Sequence, residues 1–451
     1  MKKITKRSSL ILYACSGLGV NMLGIIVGSY LCSALLVGGF ETNAENWTYL
    51  NRDIVVAGLW AVLVVVAKVV DGLIDLPFSH FTDNLRTKFG CRKPSLLIGF
   101  VPMVIAYLLF LVPITPGVSY LNTIWFAVLL CIFYGAYTLT MITFYATFAE
   151  ITEKPEDIDL LSNVKSICDV VYFSLSFALV PAFVSMGMNI RIVALIFLPL
   201  SLTMLIPFFM LKEPSYTAED IRKAKKAERI TLPSSVNFVF RDRSYILWLC
   251  VLFIMNMGSQ IFLSGINEYF STTGINMTFV MAFCFAPVPF SMIVYNKLLA
   301  KKGLGFAFRY VLVMFSIGMG LMGFARIIPS GILLYFAIGC SIIISFALGA
   351  FFAVTYSVPS HRAAVRREEN RSASSMYYAI QGLFEAVSAG IATGPILVFL
   401  KQSGNVKFMT VTVAAICMGA FALSFALPKE ISLIGKTTGK SDEKANEKTH
   451  V

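Results

Sequence analysis

Apolar runs of about twenty residues recur at roughly 8–38, 54–80, 95–114, 120–148, 160–186, 190–211, 244–269, 275–298, 303–325, 330–356, 373–400 and 407–427. At about 1.5 Å of rise per residue, each is long enough to cross a hydrocarbon core of about 30 Å as a helix. The pattern therefore predicts an all-α integral membrane chain of twelve spans. The only long polar interruption lies between them and divides the helices six and six. The expected organisation is an N-terminal six-helix half (1–211), a cytoplasmic central loop (212–243), a C-terminal six-helix half (244–427) and a disordered polar tail (428–451). Within the loop, Thr217 with Asp220 three residues later, followed by basic residues, predicts a short surface helix over Thr217–Ile230.

Charge tests the count. If both termini are cytoplasmic, 29 Lys and Arg fall in inner segments and five in outer ones, Arg52, Arg191, Arg326, Lys401 and Lys407. Lys and Arg collect on the cytoplasmic side of membrane proteins, and a miscounted helix would scramble this alternation. Composition agrees: of 451 residues 57% are hydrophobic and 14% charged, which excludes a soluble protein. The net charge of +12 then reflects topology and an anionic inner leaflet, so membrane lipid is an expected partner and nucleic acid is not. The nine cysteines are scattered without a CxxC pair, eight of them in apolar segments, and read as small core residues.

Three ionisable residues interrupt the second apolar run, Lys68, Asp71 and Asp75 in IVVAGLWAVLVVVAKVVDGLIDLPF. On a helix they project within about 60° of arc. Each charge costs roughly 2.5–3.5 kcal/mol at the bilayer centre, while the fifteen Val, Ile, Leu and Phe residues of this stretch return about 0.3–0.6 each. Such a face turns to protein or water, which makes an ion or solute pathway the default reading; a structural ion-pair cluster is the alternative. Two carboxylates a helical turn apart supply hard oxygen ligands for Na⁺, or share a proton. Nothing else in the chain resembles a metal cluster, nucleophile–base pair or phosphate loop, so no enzyme is expected.

The 6 + 6 plan with a basic central loop is that of the major facilitator fold, whose solute sites lie at the midplane. Lys68, Asp71 and Asp75, followed by Arg86, Thr87, Lys88 and Gly90 in DNLRTKFGCRKP, resemble the glycoside-pentoside-hexuronide:cation symporter family, the melibiose-permease-like branch. The resemblance implies a cation (Na⁺ or H⁺) site at Asp71 and Asp75 assisted by Thr138 and Lys68. It also implies an inner gate at Asp83, Arg86, Lys88 and Arg92, pairing with acids such as Glu150 or Glu153. Departures are plain. Met141 and Asn21 stand where the family carries acids on helices IV and I, and Glu385 stands near a family lysine on helix XI.

Other polar groups in the spans are candidates for the solute: Asn21, Tyr137, Thr140, Tyr145, Lys165, Asp169, Gln381 and Glu385, with Asn256, Gln260 and Asn267 as further cavity residues or helix–helix glue. An aromatic face beside hydroxyls on helix IV suits a sugar ring. Lys165 and Asp169, four residues apart, either neutralise each other or join the site. His80 is a candidate proton relay.

The expectation is a monomeric secondary transporter of the plasma membrane, a bacterial inner membrane, that symports a sugar or glycoside-like small solute with Na⁺ or H⁺ and needs no other cofactor. An uncoupled facilitator, a carrier of an amine, carboxylate or lysolipid, and a non-transporting receptor are the alternatives.

Overall fold

The computed structural model describes residues 3–85, 87–90, 92–149, 151, 155–213, 237–365 and 374–436. The expected surface helix at 217–230, Glu150, Glu153, Arg86 and most of the polar tail lie outside these residues. Among the described residues there are no strands, and twelve helices are long and apolar enough to cross a membrane. They are α1 (Arg7–Leu35), α2 (Ala57–Asn84), α3 (Arg92–Leu109), α4 (Tyr120–Ala146), α5 (Pro155–Ser185) and α6 (Ile190–Met210), then α7 (Arg243–Thr273), α8 (Met277–Lys302), α9 (Leu304–Ile327), α10 (Ser330–Val365), α11 (Tyr377–Gln402) and α12 (Val406–Ser424).

Local chemistry sets several of these ends. Ser119 starts α4 by accepting a hydrogen bond from the Asn122 N–H at 3.0 Å. Glu213, just after α6, caps α3 by accepting from the backbone N–H groups of Arg92 (2.9 Å) and Lys93 (2.9 Å), which satisfies two donors that have no partner inside the helix. The turn before α3 passes through Gly90 at φ +102°, and a Cβ there would come 2.2 Å from the Glu213 carboxylate. The turn Thr87–Gly90 can therefore close against Glu213 only with glycine at this position.

Winding changes inside several spans: Leu198–Met204 of α6 is a 3₁₀ segment, and two helices carry π segments. Ile26–Leu31 of α1 and Ala392–Ile396 of α11 are π-helical, the second around Pro395, whose missing N–H interrupts the ordinary ladder.

Contacts group the chain into two compact units. One is built on α1–α6 and includes Ser259–Ala282 of α7 and α8 and Gly382–Met409 of α11 and the start of α12; the other contains the remaining parts of α7–α12. In the first, α4 packs on α2 and α3, and α11 lies along α2. The α2–α11 approach needs missing side chains: a Cβ on Gly72 would sit 2.8 Å from that of Ala386, and one on Gly394 would sit 2.3 Å from the Ala61 carbonyl. Backbones this close are typical of membrane helices, where small residues replace the hydrophobic effect as the basis of association.

In the second unit α10 packs on α8 and α9. A buried cluster ties the start of α7 to the end of α10. The Arg362 guanidinium donates to both oxygens of Asp242 at 2.9 Å and to Glu430 at 2.6 Å, and Tyr377 donates to Asp242 at 3.1 Å. Asp242 also accepts from the Tyr245 N–H at 3.2 Å and so caps α7.

Candidate functional site

A cavity of about 230 Å³ lies inside the first unit, walled by α1, α2, α4, α5, α7 and α11. Its polar groups are hydroxyls, amides and two ammonium groups. Ser29 and Ser33 come from the π segment of α1 and just beyond it, Gln260 and Ser264 from α7, Thr393 from the π segment of α11, and Lys68 and Lys401 from α2 and α11. Trp60, Tyr134, Tyr137, Tyr172 and Phe173 supply ring faces. At about 30 Å³ per water this volume equals roughly eight waters, the size of a small organic solute.

The charged face of α2 borders this cavity through Lys68. Its ammonium sits 3.4 Å from the Tyr134 ring centroid, an arrangement worth about 2 kcal/mol when desolvated, and 3.8 Å from an Asp71 oxygen. Thr138 donates to the other Asp71 oxygen at 3.1 Å. Lys68, Asp71 and Thr138, grouped from the sequence, are therefore in direct contact. Asp75 lies one turn further along, where a Cβ on Gly382 of α11 would stand 3.3 Å from its carboxylate. Pro77 removes the N–H that would bond the Leu73 carbonyl in this turn. Asp71, Asp75 and Thr138 are hard oxygen donors of the type a small cation takes.

Asn21 and Tyr137 also reach the cavity wall, joined by a 2.8 Å hydrogen bond from the tyrosine hydroxyl to the amide oxygen. Gln260 lines the cavity as well, whereas Thr140, Tyr145, Lys165, Asp169, Gln381, Glu385, Asn256 and Asn267 do not. Thr140 is fully buried with its hydroxyl on the Ala136 carbonyl, and a Cβ on Gly99 of α3 would come 2.4 Å from that oxygen; it points into the α3–α4 contact. Lys165 and Asp169 form a direct ion pair, and the ammonium lies 5.1 Å from the Tyr145 ring. Tyr145 is itself 37% exposed. Glu385 is half-buried on α11 outside the cavity wall. Gln381 belongs to the second unit, where it accepts from the Trp248 indole at 3.3 Å.

Of the expected gate residues, Lys88 is exposed in the turn before α3, and Arg92 is buried at the start of α3, its N–H on Glu213. Arg86 and the side chains of Asp83 and His80 lie outside the described residues. The capping acid is thus Glu213 at the end of α6, a residue the sequence reading passed over.

A second charge pair was also missed. Glu268 of α7 is 0% exposed and ion-paired with Lys401 of α11, itself 4% exposed. The Lys401 ammonium donates to the Ser33 hydroxyl at 2.9 Å. Around it the segment after α1 is fastened to the end of α7: Thr272 donates to the Gly39 carbonyl at 2.9 Å, and Thr42 and Ser271 exchange hydrogen bonds of 3.0–3.1 Å. Lys401 had been read as a loop residue because the apolar run ends at residue 400, whereas α11 continues to Gln402. The signal available was an acid, Glu268, within the last residues of an apolar run.

Comparison with known proteins adds the lineage. A sequence family described as MFS/sugar transport protein matches residues 12–432. No curated protein sequence matches the chain. Among solved structures, the nucleoside transporter NupG is similar with TM-score 0.62 at 14% identity, covering 94% of this chain and 99% of that one. A POT family transporter in complex with 5-aminolevulinic acid gives 0.63 at 12% identity over 94% and 96%. A bacterial homolog of the human lysosomal transporter Spinster gives 0.57 at 13% identity over 96% and 98%. At these identities the structural likeness concerns the fold.

Proposed function

Because the chain belongs to the MFS/sugar transport protein family, and is thus a multi-pass membrane transporter and no enzyme, we propose that it is a cation-coupled symporter of a sugar or glycoside-like small polar solute. The observation that carries this reading is the adjacency of two parts. A small cavity walled by rings, hydroxyls and amides shares Lys68 with the carboxylate and hydroxyl cluster of α2 and α4.

The solute's ring stacks on the tyrosine and tryptophan faces and its hydroxyls bond Asn21, Gln260 and the serines. Na⁺ or a proton engages Asp71 and Asp75 with the Thr138 oxygen. Neutralising Asp71 loosens its hold on Lys68, whose ammonium is then available to the solute, and this links cation binding to solute affinity. The two six-helix halves, 1–211 and 244–427, alternate access around the loaded cavity with both termini cytoplasmic, as the distribution of Lys and Arg supports.

The test is uptake into proteoliposomes of labelled glycosides, pentoses, uronic acids and amines, with and without inward Na⁺ or proton gradients. Gradient-driven accumulation is expected for the wild type. Asp75→Asn is expected to abolish accumulation while solute exchange continues, because exchange needs no net cation movement. Undiminished accumulation by that variant would remove the coupling role of α2, and equilibration without accumulation in the wild type would make the protein a facilitator.

A further inference from the structure

Lys401 and Glu268 stand apart from the α2 cluster, and their surroundings are unequal. Lys401 is one of the residues lining the cavity, while Glu268, its ion-pair partner, is not. Among the described residues lining the cavity, none is acidic, and two are lysines. A solute entering this space therefore meets Lys68 and Lys401 directly, and the carboxylates Asp71 and Glu268 only through them. Both lysines line the same cavity, as does Cys32 of α1.

Glu268 is held thinly. No hydrogen-bond donor reaches either of its oxygens among the described residues apart from the ammonium ion pair. Among the described residues, the titratable groups that interact with it are Lys401 from α11, by the ion pair, and Tyr30 from α1, through electrostatics. A buried carboxylate with a single mobile counter-ion is in an exchangeable arrangement: any anionic group that takes the ammonium leaves Glu268 as an unpaired buried charge. The inexpensive way to remove that charge is to add a proton.

We infer that Lys401 is an anion subsite, that the solute presents a carboxylate or comparable oxyanion to it, and that Glu268, displaced as counter-ion, takes up one proton for each anion bound. No bond other than O–H is made, and charge balances: one anion and one proton enter together as a neutral pair. This deepens the reading of the cavity as a solute site and rests on it. It adds a proton site on α7 that is separate from the carboxylates of α2. It also specifies what the seal at Ser33 does. A Lys401 engaged by the solute releases the Ser33 hydroxyl, and α1 is freed from α11 when the site is loaded.

The full-length protein, purified in detergent, tests this through its thermal unfolding in titrations with D-glucuronate, with D-glucose as the neutral ring of the same size, and with sulfate as the minimal oxyanion. The titrations are run near about pH 5.5 and about pH 7.5, over which one linked proton changes affinity by up to about tenfold per pH unit. Stabilisation by glucuronate or sulfate, at least several-fold tighter at the lower pH and without a matching pH dependence for glucose, is expected. In Glu268→Gln the anion response should persist and lose its pH dependence. Lys401→Met alone leaves Glu268 unpaired and can fail to fold, so the informative partner is the double variant Lys401→Met/Glu268→Gln, in which the anion response should vanish. No anion-dependent stabilisation of the wild type, or an unchanged pH dependence in Glu268→Gln, overturns the inference. Asp75→Asn separates the two readings: pH dependence lost there and kept in Glu268→Gln leaves the α2 coupling site standing and removes this one.

Discussion

Asp242, which caps α7, and Glu268, near its far end, are both buried carboxylates paired with a cation on a later helix, and they are built in opposite ways. Asp242 receives two guanidinium bonds from Arg362, the Tyr377 hydroxyl and the Tyr245 N–H. Its oxygens are saturated by donors from three helices, and Arg362 is further held by Glu430. Glu268 has one ammonium on a flexible stem and no other donor among the described residues. A planar fork locked on a carboxylate fixes geometry, whereas a point charge on four methylenes gives up its partner readily. The first arrangement is a staple and the second an exchangeable contact, and the number of donors per oxygen distinguishes them better than burial does.

The comparison breaks most visibly at Asp242. Asp242→Ala leaves the buried Arg362 guanidinium only the largely exposed Glu430, and a stability loss of about 3–5 kcal/mol is expected, seen as a large drop in Tm and in folded yield. Lys401→Met, which leaves Glu268 with no other donor among the described residues, should cost a comparable amount, read from the same drop in Tm. Removing both charges with Lys401→Met/Glu268→Gln should recover most of that loss, by a coupling of roughly 1–3 kcal/mol in a double-mutant cycle. Tyr377→Phe, which takes one of several donors from Asp242, should cost only about 0.5–1.5 kcal/mol.

What could be read from the sequence follows the same division. The twelve spans were legible because each run is long and apolar, and Lys68, Asp71 and Asp75 because their cost to insertion is local and countable within one helix. Thr138 on Asp71 required a pairing of helices, which the family resemblance supplied, whereas nothing in the sequence joined Tyr137 to Asn21. Lys401, Ser33 and Glu268 come from three helices and up to 368 positions of separation, and no periodicity connects them. Thr140 failed for another reason. Its neighbour Tyr137 turns to the cavity, but Thr140 lies on the side of α4 where Gly99 allows α3 to press close, a contact fixed by a missing side chain on another helix.

The π segments of α1 and α11 carry a consequence for any scan of these helices. Each π turn houses an extra residue, so the side chains beyond it are rotated by about 100° from where uninterrupted α winding would set them. Ser33 and Lys401 both lie past such a turn. A helical wheel drawn from Tyr13 or Tyr377 therefore loses phase before it reaches them. Cysteine or tryptophan scanning must be phased separately on either side of residues 26–31 and 392–396, or positions lining the cavity will be scored as facing lipid.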